Sequence, residues 1–264
     1  MSIVKFTFLK KYSSFPGQGR REQFETMKNL LIASTSTVYG GKYLDYLTEQ
    51  MAAFFKDTEE VIFIPYARPG GITHDEYTEK AAKAFSKIGK KLIGLHTFEN
   101  PVEAIKNAKG AFTGGGNTFV LVSALYRLEL MQPLREAIFN GLAYMGTSAG
   151  SNICGVSMQT TNDMPIVYPP SFKTLGVIPF NLNPHYLDPE PNSKHMGETR
   201  ETRIAEFHTQ NSVPVVGLRE GSWLLVNGDE IILKGELKAR VFEQGKEPYE
   251  VETGTIFTDH FGSA

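Results

Sequence analysis

Ser148 is the residue whose surroundings first indicate covalent chemistry. It lies in the stretch AYMGTSAGSN, where residues 146–150 form a G-x-S-x-G pattern directly after an apolar run typical of a buried strand. Glycines on both sides allow the backbone to pack closely around a sharp turn from strand to helix, with the serine exposed at its apex. The same small residues also serve simply to bring a helix close to a sheet. On this pattern alone, Ser148 is either a nucleophile or a structural turn residue.

A nucleophilic serine needs a base, which is usually a histidine oriented by a carboxylate. Among six histidines, His185 in FNLNPHYLDP ends an apolar stretch and lies in a loop downstream of the serine, although an ordinary loop histidine would look the same. Two acids could orient it. Asp163 in TTNDMPIVYP gives the chain order of α/β hydrolases, and Glu220 in GLREGSW follows a predicted strand. Each acid could equally be a turn residue or a solvated charge.

Backbone N–H groups near the serine would stabilise the oxyanion that forms when it attacks a carbonyl. Ala149 begins the following helix and has a free N–H, and Gly116 in TGGGNTF is the candidate for the second donor. This glycine-rich stretch lacks the Lys-Ser/Thr of a P-loop and the G-x-G-x-x-G spacing, which argues against a nucleotide site. No cluster of His, Cys and carboxylates has metal-ligand spacing. We therefore expect no metal and no cofactor.

The elements that position these residues follow from the hydrophobic pattern. From Met27 onward, short apolar runs alternate with helical-period segments, which predicts a parallel sheet covered by helices on both faces. An irregular, Pro-rich stretch follows the serine, and the tail is predicted to form antiparallel hairpins, one of them around the turn NGD. The predicted fold class is α/β, a single domain with a mostly parallel sheet flanked by helices and C-terminal antiparallel hairpins. Ligands bind such sheets at the carboxyl ends of the strands, where we expect the turns STSTVYGG, TGGGNTF and GTSAGSN to meet in one crevice.

The composition is that of an ordinary globular protein, with 264 residues, 41% hydrophobic residues and a formal net charge of −2. The mixed charge argues against nucleic acid or an anionic membrane as partners, and no apolar run is long enough to span a bilayer. The single cysteine, Cys154, is expected to be buried and fits a reducing, cytoplasmic location. We interpret residues 1–26 as a flexible extension or a misplaced start, ahead of one domain at residues 27–264.

Six separated motifs, in order along the chain, resemble the α-aspartyl dipeptidases of serine peptidase family S51. They are GGGNTF, GTSAGSN, TTNDMPIV, NPHY, GETRETRI and GLREGSW. The resemblance extends from about Met27 to Phe257, and the motifs together are far more specific than any one of them. It implies that residues 27–264 form a family S51-type catalytic domain with a class I glutamine amidotransferase-like, flavodoxin-like fold, as a monomer or a homodimer.

The resemblance also implies an activity. It implies a serine exopeptidase that hydrolyses the bond after an N-terminal aspartate in Asp-Xaa dipeptides, through an acyl-enzyme on Ser148 and with no cofactor. His185 is then the base. Asp163 is the usual third member of the charge relay, and Glu220 is a rival for that position.

The remaining site residues are implied in the same way. Gly116 and Ala149 match the positions that form the oxyanion hole, and Arg200 in GETRETR matches the arginine that holds the aspartate side chain, with Arg203 one turn away on the same helix. A guanidinium can hold a carboxylate through two hydrogen bonds. Thr147 is a departure, because familiar members have a bulkier tryptophan before the nucleophile, and this leaves the substrate range open.

Two alternatives keep the fold and change the function. A cyanophycinase-like hydrolase of an Asp-Arg polymer would use the same serine and histidine, although NDMPIV and GETRE favour the dipeptidase. A non-catalytic α/β protein that binds a small acidic ligand would retain Ser148 only as a turn residue. A glutamine amidotransferase-like enzyme is disfavoured because its nucleophile would be a cysteine at position 148.

Overall fold

The described part of the chain folds into two β-sheets, with helices around the larger one. The computed structural model describes residues 27–189, residues 197–257 and Phe261, so that the extension predicted at residues 1–26 lies outside the described residues. The strands are β1 Asn29–Ala33, β2 Glu60–Ile64, β3 Lys91–Gly94, β4 Gly110–Thr113, β5 Ala143–Thr147, β6 Asn181–Pro184, β7 Val215–Leu218, β8 Trp223–Asn227, β9 Glu230–Lys234, β10 Ala239–Phe242 and β11 Tyr249–Val251.

Seven helices connect or cover these strands in the described part of the chain. They are α1 Thr48–Phe54, α2 His74–Ser86, α3 Pro101–Asn107, α4 Thr118–Arg127, α5 Met131–Phe139, α6 Ala149–Asn152 and α7 Arg200–His208, and short 3-10 turns occupy Asp45–Leu47 and Leu95–Thr97. Local sequence fixes where several of them begin. Thr73 and Glu76 form a capping box at the start of α2, and the side chain of Asn117 accepts a hydrogen bond from the Val120 amide at the start of α4.

The larger sheet has the strand order β3-β2-β4-β5-β1-β8-β9. Strands β1 to β5 are parallel to one another, whereas β8 and β9 are antiparallel additions at one edge. Both faces are covered, since Leu30 and Ile32 of β1 pack into one hydrophobic cluster and Leu31 and Ala33 pack into another. This confirms the predicted α/β domain, whose parallel strands are buried on both sides.

A second sheet, with the order β11-β10-β7-β6, was not expected from the sequence. Its first strand, β6, comes from the end of the stretch predicted to be irregular, and it is parallel to β7. The antiparallel tail is confirmed, but its two hairpins belong to different sheets. The β8–β9 hairpin, which turns at the predicted NGD, extends the large sheet, and the β10–β11 hairpin completes the small one. Among the described residues, no helix combines the length and apolar character required to cross a membrane.

Candidate active site

Ser148 occupies the single residue between β5 and α6. Its backbone has φ 53° and ψ −112°, a conformation that few residues other than glycine adopt. The glycines on either side are required by close approach: a Cβ on Gly146 would lie 2.4 Å from the Gly150 carbonyl oxygen, and one on Gly150 would lie 2.2 Å from the Thr113 carbonyl oxygen. The G-x-S-x-G pattern therefore forms the sharp strand-to-helix turn that the sequence indicated.

Ser148 is the first member of a chain of three hydrogen-bonded side chains. Its Oγ lies 2.8 Å from Nε2 of His185, and Nδ1 of His185 lies 2.5 Å from Oε1 of Glu220. His185 follows β6 directly and Glu220 follows β7 by two residues. Because Pro184 and Leu218 are paired in register at the ends of these parallel strands, the two side chains emerge side by side.

Ser34 links the two sheets beneath this chain. It follows β1 in the turn STSTVYGG, and its Oγ donates a 2.7 Å hydrogen bond to the Leu218 carbonyl oxygen while accepting a 2.9 Å hydrogen bond from the His185 amide. Ser34 is completely buried. Sequence reasoning placed this turn in the crevice but did not single out Ser34, because a buried serine in a polar turn has no pattern of its own.

Arg219, next to Glu220, holds the segments that carry both the histidine and the acid. Its guanidinium donates to both carboxylate oxygens of Asp188, at 2.9 and 2.6 Å, and to both of Glu250, at 2.8 and 2.9 Å. It also lies over the ring of Tyr186. Hydrogen bonds from Arg219 lower the pKa of Asp188. This arginine was missed in the sequence because its partners are about 30 residues away in both directions.

Asp163 is engaged at the start of α4 and not with His185. Its Oδ2 accepts a 2.7 Å hydrogen bond from the Thr118 amide at the start of α4 and a 3.1 Å hydrogen bond from the Thr161 hydroxyl. Asp163 and Ser148 line a common cavity of about 20 Å³. Both ring nitrogens of His185 already have partners in Ser148 and Glu220. Asp163 is therefore not bonded to the histidine, and its carboxylate binds the start of α4 instead.

The two candidate oxyanion donors lie against the nucleophile. Ala149 is the first residue of α6, where an amide has no partner within the helix. Gly116, at φ 149°, has no space for a side chain, because a Cβ would lie 2.2 Å from the Ala67 carbonyl oxygen. The Gly115 carbonyl accepts a hydrogen bond from the Tyr77 hydroxyl, and since the peptide is trans, the Gly116 N–H points to the opposite side of that peptide plane.

Arg200 is the first residue of α7 and is partly buried. Burial and the nearby Arg203 charge lower its pKa, whereas the carboxylates of Asp163 and Glu220 act in the opposite direction. The negative charges of Asp163 and Glu220 thus reach Arg200. Arg203 has a different environment, since its Nε lies 3.6 Å from Oε2 of Glu198. Within the described residues, no salt bridge to an acid is formed by Arg200.

A second cavity, of about 210 Å³, also contacts Ser148 and His185 but is not lined by Asp163. Its other lining residues include Arg68, Lys80, Tyr77 and Gly116. A larger depression of about 820 Å³ lies at the amino ends of β2 and β4, among residues such as Glu60 and Lys109, and contains no nucleophile. We place the site at the 20 and 210 Å³ cavities and not at this depression, because the hydrogen-bonded serine and histidine line both of them.

Two further chemistries receive no support from the described residues. No group of three or more His, Cys, Asp or Glu side chains in ranges 27–189 and 197–257 is arranged to hold a metal ion. Cys154 is buried, as expected, and burial raises the pKa of its thiol, which keeps it protonated and a poor nucleophile.

Comparison with known proteins gives a consistent set of relatives. A family model described as peptidase family S51 matches residues 30–234. The chain is 48% identical to a protein named "Peptidase E" from Streptomyces coelicolor, a match that covers 88% of this chain and 94% of that protein. It is 45% identical to a protein named "Probable alpha-aspartyl dipeptidase" from Drosophila melanogaster, a match that covers 82% of this chain and 90% of that protein. In fold it resembles the crystal structure of a peptidase from an acI-B1 Actinobacterium, with a TM-score of 0.63 and 16% sequence identity. This match covers 88% of the present chain and 97% of that one.

Proposed function

The chain belongs to peptidase family S51, and on that premise we propose that it is a serine dipeptidase that releases aspartate from the amino end of Asp-Xaa dipeptides. As a member of the family it is a peptidase and thus a hydrolase. The observation that carries the proposed mechanism is the chain of hydrogen bonds from Ser148 through His185 to Glu220, at 2.8 and 2.5 Å.

In the first step, Oγ of Ser148 attacks the main-chain carbonyl carbon of the substrate's aspartate, and Nε2 of His185 takes the hydroxyl proton. Glu220, which accepts a hydrogen bond from Nδ1, fixes the ring orientation and stabilises the imidazolium. The protonated His185 then gives its proton to the leaving amine as the peptide bond breaks. The neutral form of the His185 ring is the one that can accept the serine proton.

The Ala149 and Gly116 amides donate to the oxyanion of the tetrahedral intermediate, where the loss of one such donor costs about 3 kcal/mol. After the C-terminal amino acid Xaa leaves, aspartate remains bonded to Oγ of Ser148 as an ester. Water, deprotonated by His185, attacks this ester, and the Ser148 hydroxyl is restored when aspartate departs. The cycle consumes one water molecule for each peptide bond and needs no metal or redox group.

Arg200 binds the side-chain carboxylate of the substrate's aspartate. Its partial burial and its lack of an acidic partner in the described chain leave the guanidinium available for such a ligand. Asp163 supports the site by holding the start of α4 and the 161–163 turn against the nucleophile. Glu220, rather than Asp163, is therefore the acid of the charge relay.

Other functions are less well supported. A hydrolase of the cyanophycinase type and a non-catalytic binding protein are not favoured, because the relatives named above, at 48% and 45% identity, carry the names of peptidase E and an aspartyl dipeptidase. We further propose a cytoplasmic location, consistent with one buried, unpaired cysteine. Residues 27–264 are proposed as the catalytic domain.

The direct test is hydrolysis of Asp-Leu by the wild-type protein and by Ser148→Ala. Ala-Leu, Glu-Leu, N-acetyl-Asp-Leu and the β-linked isomer are the control peptides. We expect turnover of Asp-Leu alone and none by the variant. If folded wild-type protein hydrolyses none of these peptides, Ser148 is a structural turn residue and not a nucleophile.

A further inference from the structure

The 210 Å³ cavity beside Ser148 contains two positive charges that the mechanism above does not use. Arg68 and Lys80 both line it, and both side chains are exposed. Two other lysines nearby behave differently: Lys83, further along α2, lies 2.8 Å from Glu79, and Lys87, just after α2, pairs with Asp45. Within the described ranges, neither Arg68 nor Lys80 forms a salt bridge or hydrogen bond to an acid.

Each of the two cations lies over an aromatic ring that also lines the cavity. Lys80 lies on α2 with its Nζ 4.9 Å from the centroid of the Tyr43 ring, and the Arg68 guanidinium carbon lies 5.7 Å from that of Tyr77. The two rings pack edge to face, with centroids 6.5 Å apart, and Tyr77 is buried. Cations over aromatic faces keep a defined position while their remaining N–H groups stay free for an anion.

The position of this cavity identifies which part of a dipeptide would enter it. Ser148 and His185 line both cavities, whereas Asp163, one of the two acids whose charge reaches Arg200, lines only the 20 Å³ cavity, and Arg68 and Lys80 line only the 210 Å³ cavity. An Asp-Xaa dipeptide has one carboxylate on the aspartate side chain and another at its C-terminus, on opposite sides of the scissile bond. With Arg200 holding the first, the second lies on the side of Arg68 and Lys80.

We propose that Arg68 and Lys80 bind the free C-terminal carboxylate of the substrate and so select dipeptides over longer peptides. This inference rests on the proposed function. A volume of about 210 Å³ is below the about 300–1,000 Å³ of sites for drug-sized ligands, which fits one leaving amino acid. In a longer peptide the carboxylate lies further from the scissile bond, and an uncharged amide faces the two cations instead.

The test compares Asp-Leu with Asp-Leu amide, which lacks only the C-terminal charge. For the wild-type protein, we expect amidation to lower kcat/KM by at least about tenfold, the value of one charge-assisted contact. In the double variant Arg68→Gln, Lys80→Gln, we expect kcat/KM for Asp-Leu to fall by a similar factor, mainly because KM rises. The kcat/KM of the double variant for Asp-Leu amide should equal that of the wild-type protein. Lys83→Gln, one turn along the same helix, is the matched control and leaves both peptides unaffected.

Two results would overturn the assignment while the proposed function stands. One is equal hydrolysis of the acid and the amide by wild-type protein, and the other is a double variant that loses equally on both peptides. Hydrolysis of neither peptide by folded wild-type protein would instead refute the dipeptidase function itself, and this inference with it. Circular dichroism and the urea midpoint of the double variant establish that it is folded.

Discussion

Ser148 and His185, whose Oγ and Nε2 atoms lie 2.8 Å apart, both have a positive backbone φ, at 53° and 55°. A residue other than glycine in such a sparsely populated region costs about 1–3 kcal/mol, and it persists only where the surroundings hold it. Close approach of the flanking glycines holds Ser148, and the hydrogen bond to Ser34 holds the His185 backbone. Since the two residues end strands of different sheets, the distance between them depends on how those sheets are docked.

The structure separates the two candidate acids by their hydrogen bonds. We expect Glu220→Gln to lower kcat for Asp-Leu by at least about a hundredfold, because the amide cannot stabilise the imidazolium. Asp163→Asn should lower the free energy of unfolding by about 1 kcal/mol, because the hydrogen bond from the Thr118 amide at the start of α4 becomes weaker. Its loss in kcat should be smaller than that of Glu220→Gln. Steady-state kinetics and urea unfolding of both variants test this, and a larger kcat loss in Asp163→Asn would reverse the assignment.

Gly150→Ala tests the packing of the turn at Ser148. A Cβ there lies 2.2 Å from the Thr113 carbonyl oxygen, so the backbone must move. We expect a loss of about 1–3 kcal/mol in the free energy of unfolding together with loss of activity. Gly70→Ala is the matched control, since a Cβ at Gly70 meets nothing within 4 Å. Similar unfolding curves for the two variants would contradict the close approach.

Ser34→Ala removes the hydroxyl that joins the two sheets. We expect the His185 amide to lose its partner, kcat to fall about tenfold, and the free energy of unfolding to fall by about 1 kcal/mol. Ser86→Ala removes a comparable hydrogen bond from the surface of α2, to the Lys83 carbonyl, and should change neither quantity. The idea fails if Ser34→Ala retains full kcat.

Arg200→Gln tests how the aspartate side chain is held. We expect kcat/KM for Asp-Leu to fall at least about tenfold, mainly through KM, because a charge-assisted pair is lost. Arg203→Gln, whose partner Glu198 lies 3.6 Å away, should have a much smaller effect. If the two variants lose activity equally, the arginines share the substrate.

Arg219→Gln tests whether Arg219 stabilises the segments that carry His185 and Glu220. The measured quantity is the loss of stability in the variant as a function of pH. Asp188 has a folded-state pKa below its ordinary value of 3.8, because Arg219 donates hydrogen bonds to it. Its stabilising contribution is therefore complete above the ordinary pKa and is lost as the pH falls through the lowered one. Urea unfolding of the wild type and the variant should show a stability difference that narrows below about pH 4. A difference that is constant with pH would rule out this linkage.

The large sheet and the turn at Ser148 could be predicted because their signals are local. Apolar runs, helical periods and a G-x-S-x-G pattern each lie within a few residues. The choice between Asp163 and Glu220 could not be made in this way, because it depends on β6, which the Pro-rich composition concealed. Two of its four residues are asparagines, buried because they bond to the preceding loop: Asn181 bonds to Ser157, and Asn183 donates to the Thr160 carbonyl.

The small sheet also makes the surroundings of Glu220 depend on the last part of the described chain. β7, just before Glu220, is bonded on one side to β6 and on the other to β10, and β10 pairs with β11. Residues 239–251 thus complete the sheet behind the imidazole, although the family match ends at residue 234. Chains fold as they emerge from the ribosome, N-terminal parts first, so a nascent chain presents the serine long before its base is in place. A nascent chain that ends before residue 239 still lacks β10 and β11, and with them one of the two neighbours of β7, the strand that Glu220 follows.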